Sequence, residues 1–494
     1  MSSAHSRWLS SYELAFLAGA GAALTARALV AAIRKRASLR RLDKAAILAA
    51  RHRDFCPAQT ISYANTDPLL IVAGSGATLT DESGRRFLDT RNNVAHVGHS
   101  HPAVAAAVGA QATQLNTNTR YLHPNVCALA RRLLDTMPEP LRDGVVFFVN
   151  SGSEANDLAL RLAKAYNAKG SEHCIVVDHA YHGHTNAVIG LSPYKFEHTS
   201  FGGRGQPAWV TKVPAPDTYR GRHRGEDAAG QYAQYVVDAC KTKQQEGSGV
   251  CAFFIESGMS VAGVILPPEG YLPKCYEAVR AAGGVCVADE VQTGLGRFGS
   301  VWWGFQQQKV CPDIVTMGKP MGNGMPLAAV VATRAVSDAF ASGPEYFNTF
   351  GGNPVCTAAG LAVFDALEAQ GLRAKALATG TWLQHALRGL QAEERSHGAC
   401  IGDVRGSGLF IGVEFVRDVA TREPATKETN RICSRLKDAH QILTSIDGPH
   451  DNVLVIKPPM CFGIAEAKLL VEALRVELVG LKDFDLRTAS HTPT

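Results

Sequence analysis

The chain of 494 residues is 46% hydrophobic and 19% charged, a globular balance that predicts two or three structural units around a substantial core. Its formal net charge of +5 is uneven: residues 1–53 hold ten Lys and Arg against two acids, a balance of +8 that leaves −3 for the rest. The body is therefore not read as a nucleic-acid binder.

Along the chain, the first feature is an apolar run, Leu14 to Ala26, interrupted by Arg27, resumed from Ala28 to Ile33 and closed by Arg34-Lys35-Arg36. A membrane span takes about 20 apolar residues, reached here only across Arg27. A mitochondrial transit peptide, with arginine and serine and few acids, is the other reading. The expectation is a mitochondrial protein, with a membrane-tethered or cytoplasmic one as alternatives and residues 14–33 as the candidate membrane contact.

From Phe55 onward, strand and helix signals alternate. Short β-branched or aromatic runs without strict alternation (145–149, 174–177, 251–255, 285–288 and 314–317) read as parallel strands buried on both faces. Helical stretches such as 155–167 and 271–282 separate them. The pattern predicts an α/β fold, a doubly wound, mostly parallel sheet, whose ligands lie at the carboxyl ends of the strands. After a break at 367–371, residues to about 483 read as a smaller C-terminal α+β domain with strands at 409–415 and 453–456. The expected division is an N-terminal extension (1–53), an N-terminal segment of the small domain (54–110), the large domain (111–370), the small domain (371–483) and a tail (484–494). Twelve cysteines show no C-x-x-C pair, which argues for a reducing compartment and against a zinc ribbon.

Three strand ends carry chemistry. The run at 145–149 enters Asn150-Ser151-Gly152-Ser153-Glu154, a small-residue turn opening a helix, which offers amides and a positive dipole end to a phosphate. Alone, Ser151 reads equally as an N-cap. The run at 285–288 ends in Asp289, a carboxylate that needs a cationic partner: a protonated pyridine nitrogen, an ordinary ion pair or a metal. The run at 314–317 ends in Gly318-Lys319, where an amine beside a cationic ring has a lowered pKa and can form an imine. A lone lysine there would read as surface. The three together, in this order, are a specific combination.

With these motifs the sequence resembles the class III aminotransferases of the fold-type I pyridoxal-phosphate enzymes, over residues from about 55 to 480. The resemblance implies pyridoxal 5′-phosphate held by Lys319 as a Schiff base, with Ser151, Gly152 and Ser153 as phosphate turn. It implies Tyr181 and His182 at the cofactor ring, Asp289 at the ring nitrogen and Gln292 near the ring hydroxyl. Thr349 would reach the phosphate of a partner subunit, implying a homodimer with shared sites. Arg405 would receive an α-carboxylate, and Glu256 would pair with it when none is bound. Within the family, Asn92-Asn93-Val94-Ala95-His96, Asp178-His179-Ala180-Tyr181-His182-Gly183-His184 and Ile456-Lys457-Pro458-Pro459-Met460 resemble the phospho-lyase branch. Its members split ethanolamine phosphate or 5-phosphohydroxylysine into aldehyde, ammonia and phosphate. Arg120, Tyr121 and Lys195 are candidates for the substrate phosphate, with surface salt bridging the alternative for Arg120 and Lys195. The alternative activity is transamination between an amino acid or ω-amine and a keto acid.

Gly294-Leu295-Gly296-Arg297-Phe298-Gly299 satisfies G-x-G-x-x-G but is not followed by a helix signal, so it reads as a loop near the cofactor. The histidines at 96, 99, 101, 179, 182 and 184 lack ligand spacing, and no metal is expected.

Overall fold

The computed structural model describes residues 43–63, 67–167, 170–197, 205–395 and 401–481. The apolar run at 14–33 lies outside the described residues. Two compact units divide the chain: Met1–Ala73 with Thr80–Arg86, and Gly74–Leu79 with Phe87–Thr494. In the first, the helix Lys44–Asp54 is capped by Asp43, whose carboxylate accepts from the amides of Ala45 and Ala46. That helix crosses position 53.

The second unit is built on seven strands: β1 (Val145–Val149), β2 (Cys174–Val177), β3 (Val210–Val213), β4 (Ala252–Glu256), β5 (Val285–Asp289), β6 (Ile314–Met317) and β7 (Ala328–Ala332). Their order across the sheet is β1-β7-β6-β5-β4-β2-β3. Pairing is parallel from β6 through β5, β4 and β2 to β3, and β7 runs antiparallel to both of its neighbours. The central strands β4, β5 and β6 are buried at every position, because helices cover both faces and leave no solvent side to carry polar residues. The helix Gly152–Tyr166 turns Ala155, Leu158, Ala159, Leu162 and Ala163 onto the sheet at the three-and-four spacing that such packing requires. Each large apolar side chain so buried contributes about 1.5–3 kcal/mol.

In the C-terminal part, β8 (Ile401–Ser407), β9 (Phe410–Asp418), β10 (Ser445–Asp447) and β11 (Val453–Ile456) form an antiparallel sheet in the order β8-β9-β11-β10. Helices Leu372–Arg395, Thr426–His440 and Ile464–Val479 accompany it. Gly371, at φ 56°, takes the left-handed turn that separates Pro354–Ala369 from Leu372–Arg395. Among the described residues no single helix is long and apolar enough to cross a membrane.

Candidate active site

Because β1, β2, β4, β5 and β6 point the same way, their carboxyl ends meet at one edge of the sheet. A cavity of about 340 Å³ opens there, lined by Ser151, Gly152, Ser153, Tyr181, His182, Glu256, Asp289, Gln292 and Lys319 among others. Nine of the residues singled out from sequence are thus brought together.

At the end of β1 the chain enters the helix Gly152–Tyr166. Ser151 caps it, accepting from the Glu154 amide at 3.2 Å, while Glu154 Oε2 accepts from the Asn150 amide at 2.8 Å. Ser153 Oγ accepts from the His184 amide at 3.0 Å. The amides of Gly152 and Ser153 belong to the first helical turn, where no intrahelical acceptor exists, so they stand as donors at the positive end of the dipole. Two further glycines keep this corner open. A Cβ on Gly183, whose φ is 130°, would stand 2.6 Å from Ser153 Oγ, and one on Gly318 would stand 3.2 Å from the Gly152 nitrogen.

At the end of β5, Asp289 is held from behind. Its Oδ2 accepts from Asn156 Nδ2 at 2.7 Å and His182 Nδ1 at 2.9 Å, and its Oδ1 from the Val291 amide at 3.0 Å. Asn156 in turn donates to the His182 carbonyl and accepts from Thr316 Oγ1, which locks its own amide. The carboxylate is fixed in place, and each oxygen retains acceptor capacity. Sequence reading missed Asn156; its signal was a polar residue on the apolar face of an amphipathic helix.

Glu256, at the end of β4, lies opposite Asp289 in the β4–β5 register. It accepts from the amides of Tyr181 at 3.0 Å and Ser260 at 3.3 Å. Burial, reinforced by the Asp289 charge, pushes its carboxyl up to about 7 against the pull of His182 and those amides. Lys319, following β6, has its pKa lowered by burial, partly offset by Asp289, Glu256 and Asp447.

Five expected residues do not line the cavity. Lys195 stands next to it, its Nζ 6.0 Å from the ring centre of Tyr181 and 4.6 Å from that of Tyr194, with no carboxylate within ion-pair distance among the described residues. Arg120 is exposed, 3.4 Å from Glu345 and 4.2 Å from the Phe347 ring centre. Tyr121 and Thr349 are exposed beside it in sequence and on the segment it packs against. Arg405 corrects the expectation of a Glu256 partner. Its Nη1 lies 2.9 Å from Asp403 and 2.7 Å from Glu414, and its Nη2 and Nε donate to the Gly263 carbonyl at 2.6 and 2.9 Å. The cause is local: Asp403 shares its strand face two residues away, and Glu414 is opposite Asp403 on β9, so both carboxylates reach Arg405 first.

The site fits pyridoxal 5′-phosphate on the structure's own terms. Free helix amides walled by glycines suit a phosphate, the braced Asp289 suits a protonated ring nitrogen, and the lysine with lowered pKa is suited to a carbonyl carbon.

Comparison with known proteins agrees. The class III aminotransferase family matches residues 61–478. The chain is 46% identical to an alanine–glyoxylate aminotransferase 2-like protein of Drosophila melanogaster, over 91% of this chain and 90% of that one. It is 41% identical to ethanolamine-phosphate phospho-lyase homolog 1 of Caenorhabditis elegans, over 83% and 89%. The fold superposes with a TM-score of 0.80 on a phospholyase from Arthrobacter solved in complex with phosphoethanolamine, at 38% identity and covering 88% of this chain and all of that one. With the fold, the cavity and these matches in hand, the chain belongs to the class III aminotransferase family of fold-type I enzymes, and its cofactor is pyridoxal 5′-phosphate.

Proposed function

We propose that the enzyme is a phospho-lyase that converts a phosphorylated amine, ethanolamine phosphate or 5-phosphohydroxylysine, and water into aldehyde, ammonia and phosphate. The observation that carries this reading is the state of Arg405. Its guanidinium is already neutralised by Asp403 and Glu414 and hydrogen-bonded to Gly263, which leaves it poorly placed to receive the α-carboxylate of an ordinary amino donor. A substrate whose reacting carbon carries no carboxylate needs no such receptor. Lys195 adds support, as a cation next to Tyr181 with no carboxylate partner among the described residues. The cofactor, when bound, supplies an electron sink for the carbon bearing the amine. Lys319 Nζ takes the proton from that carbon, and its lowered pKa keeps more of it in the neutral, basic form near neutral pH. Asp289, held by His182 and Asn156, would pair with the charge on the ring nitrogen.

Transamination is the second reading, favoured by the similarity to the alanine–glyoxylate aminotransferase 2-like relative. The deciding experiment incubates the cofactor-loaded protein with ethanolamine phosphate and no keto acid. Phosphate and acetaldehyde released in equal amounts are expected. No release, followed by amino transfer once alanine and glyoxylate are supplied, would overturn the lyase.

We further propose a homodimer. The two packed segments carrying Arg120 and Tyr121 and carrying Thr349 expose Tyr121 at 68%, Leu122 at 101% and Phe350 at 64%, apolar surface that a second copy of the chain would cover. Thr349 would then serve the partner's cavity.

A further inference from the structure

Lys457 follows β11, where the chain turns through Pro458 and Pro459. Its Nζ donates to Ser260 Oγ at 2.8 Å and to Gln292 Oε1 at 3.2 Å. Asn93 Nδ2 donates to the same Gln292 oxygen at 3.0 Å. Which end of an amide is oxygen is ordinarily settled by its neighbours. Here the neighbour decides it without ambiguity, because an ammonium group has only donors and must face an acceptor. The oxygen end of Gln292 is therefore pinned away from the cavity that Gln292 lines, and no described residue accepts from its Nε2.

The lysine is itself held in place. Arg297, in the glycine-rich loop that sequence reading set aside, donates through Nη1 to the Pro458 carbonyl at 2.7 Å and to the Leu409 carbonyl at 3.0 Å, fixing the turn after Lys457. Asp447 lies 3.8 Å from the ammonium. The position is electrostatically costly: burial brings Lys457 down to about 8, with Asp447 opposing and Lys319, Arg91 and Arg297 adding to the fall.

We propose that Lys457 is a positioning residue that turns the Gln292 amide so that its N–H groups donate into the cofactor cavity, toward the ring oxygen that the family resemblance places beside Gln292. Without the ammonium the oxygen end is held, among the described residues, only by Asn93, whose own amide can turn over with it, so the Gln292 amide can rotate and present its oxygen to an anionic oxygen, exchanging an attraction for a repulsion. The inference holds for lyase and transaminase alike.

The test is a pH titration of the visible absorbance of the holoenzyme, with cofactor affinity and melting temperature measured alongside. Lys457→Met removes the donor and a positive charge near Lys319, and both losses favour the protonated chromophore. The titration midpoint is expected to rise by about one pH unit, the scale of one hydrogen bond to a charged group, with cofactor affinity falling roughly tenfold. Lys457→Arg, another group with donors only, is expected to restore most of both. In a Gln292→Leu background, Lys457→Met should move the midpoint much less, because there is no amide left to orient. Lys457→Leu, which likewise carries neither donor nor charge, is read in the same way should the Met variant fail to fold. A lower melting temperature with an unmoved midpoint would reduce Lys457 to a structural role and overturn the proposal. A midpoint shift equally large without Gln292 would also overturn it, by showing that the charge acts alone.

Discussion

Glu256 and Asp289 end adjacent parallel strands in register, so the backbone forces two carboxylates together inside the protein. The cost falls on Glu256, whose pKa stands at about 7 against an ordinary 4.5. The sign follows from proton binding. Between those values the folded chain holds a proton that the unfolded chain has released, so stability declines as pH rises through this window and the full cost is present above it. At 1.36 kcal/mol per unit, that cost is about 3 kcal/mol. Glu256→Gln is therefore expected to lie close to the wild type at pH 5 and to melt clearly higher at pH 8 when the cofactor is removed. Thermal melts at the two pH values check this, and a difference independent of pH would show that the charge is not the cause. Ser151, Asp289 and Lys319, each just beyond a strand and ambiguous alone, were legible in combination, and Tyr181, His182, Glu256 and Gln292 followed from the family resemblance. The fate of Arg405 was not, since it depends on Glu414 arriving across a hairpin.

At the scale of elements, β1, β2 and β6 were read to the residue from apolar runs too short for helices, and β4 and β5 were each displaced or extended by one position at an end. Two strands of the seven-stranded sheet were missed for physical reasons. Val210–Val213 carries a lysine and a threonine at its partly exposed centre, as an edge strand does, and Ala328–Ala332 is alanine-rich, which suits a helix equally well. The helix after β1 begins three residues earlier than expected because Ser151 caps it and draws Gly152–Glu154 into its first turn. That turn meets the loop after β2 at Gly183, where both a positive φ and the contact with Ser153 exclude a side chain. Gly183→Ala is expected to displace the helix start and lower cofactor affinity by roughly tenfold or more, the scale of one strained backbone position. Equilibrium titration of the cofactor measures it, and unchanged affinity would show that the corner yields without consequence.

For the whole molecule, the exposed Tyr121, Leu122 and Phe350 carry the proposed dimer. Leu122→Asp combined with Phe350→Asp is expected to give a monomer by light scattering, with activity lost because Thr349 no longer reaches a partner's cavity. A dimer that persists would place the interface elsewhere. A last consequence comes from the strand order. The sheet starts at β1, yet among the described residues the one strand that pairs with β1 is β7, nearly two hundred residues further on. During synthesis the Val-Val-Phe-Phe-Val segment therefore emerges with its hydrogen-bonding edge bare, and it stays bare until Ala332 has left the ribosome. Nascent chains are thus exposed to edge-to-edge pairing with one another while the roughly 180 residues between Val149 and Ala332 are made, an interval in which chaperones would protect the yield of this protein.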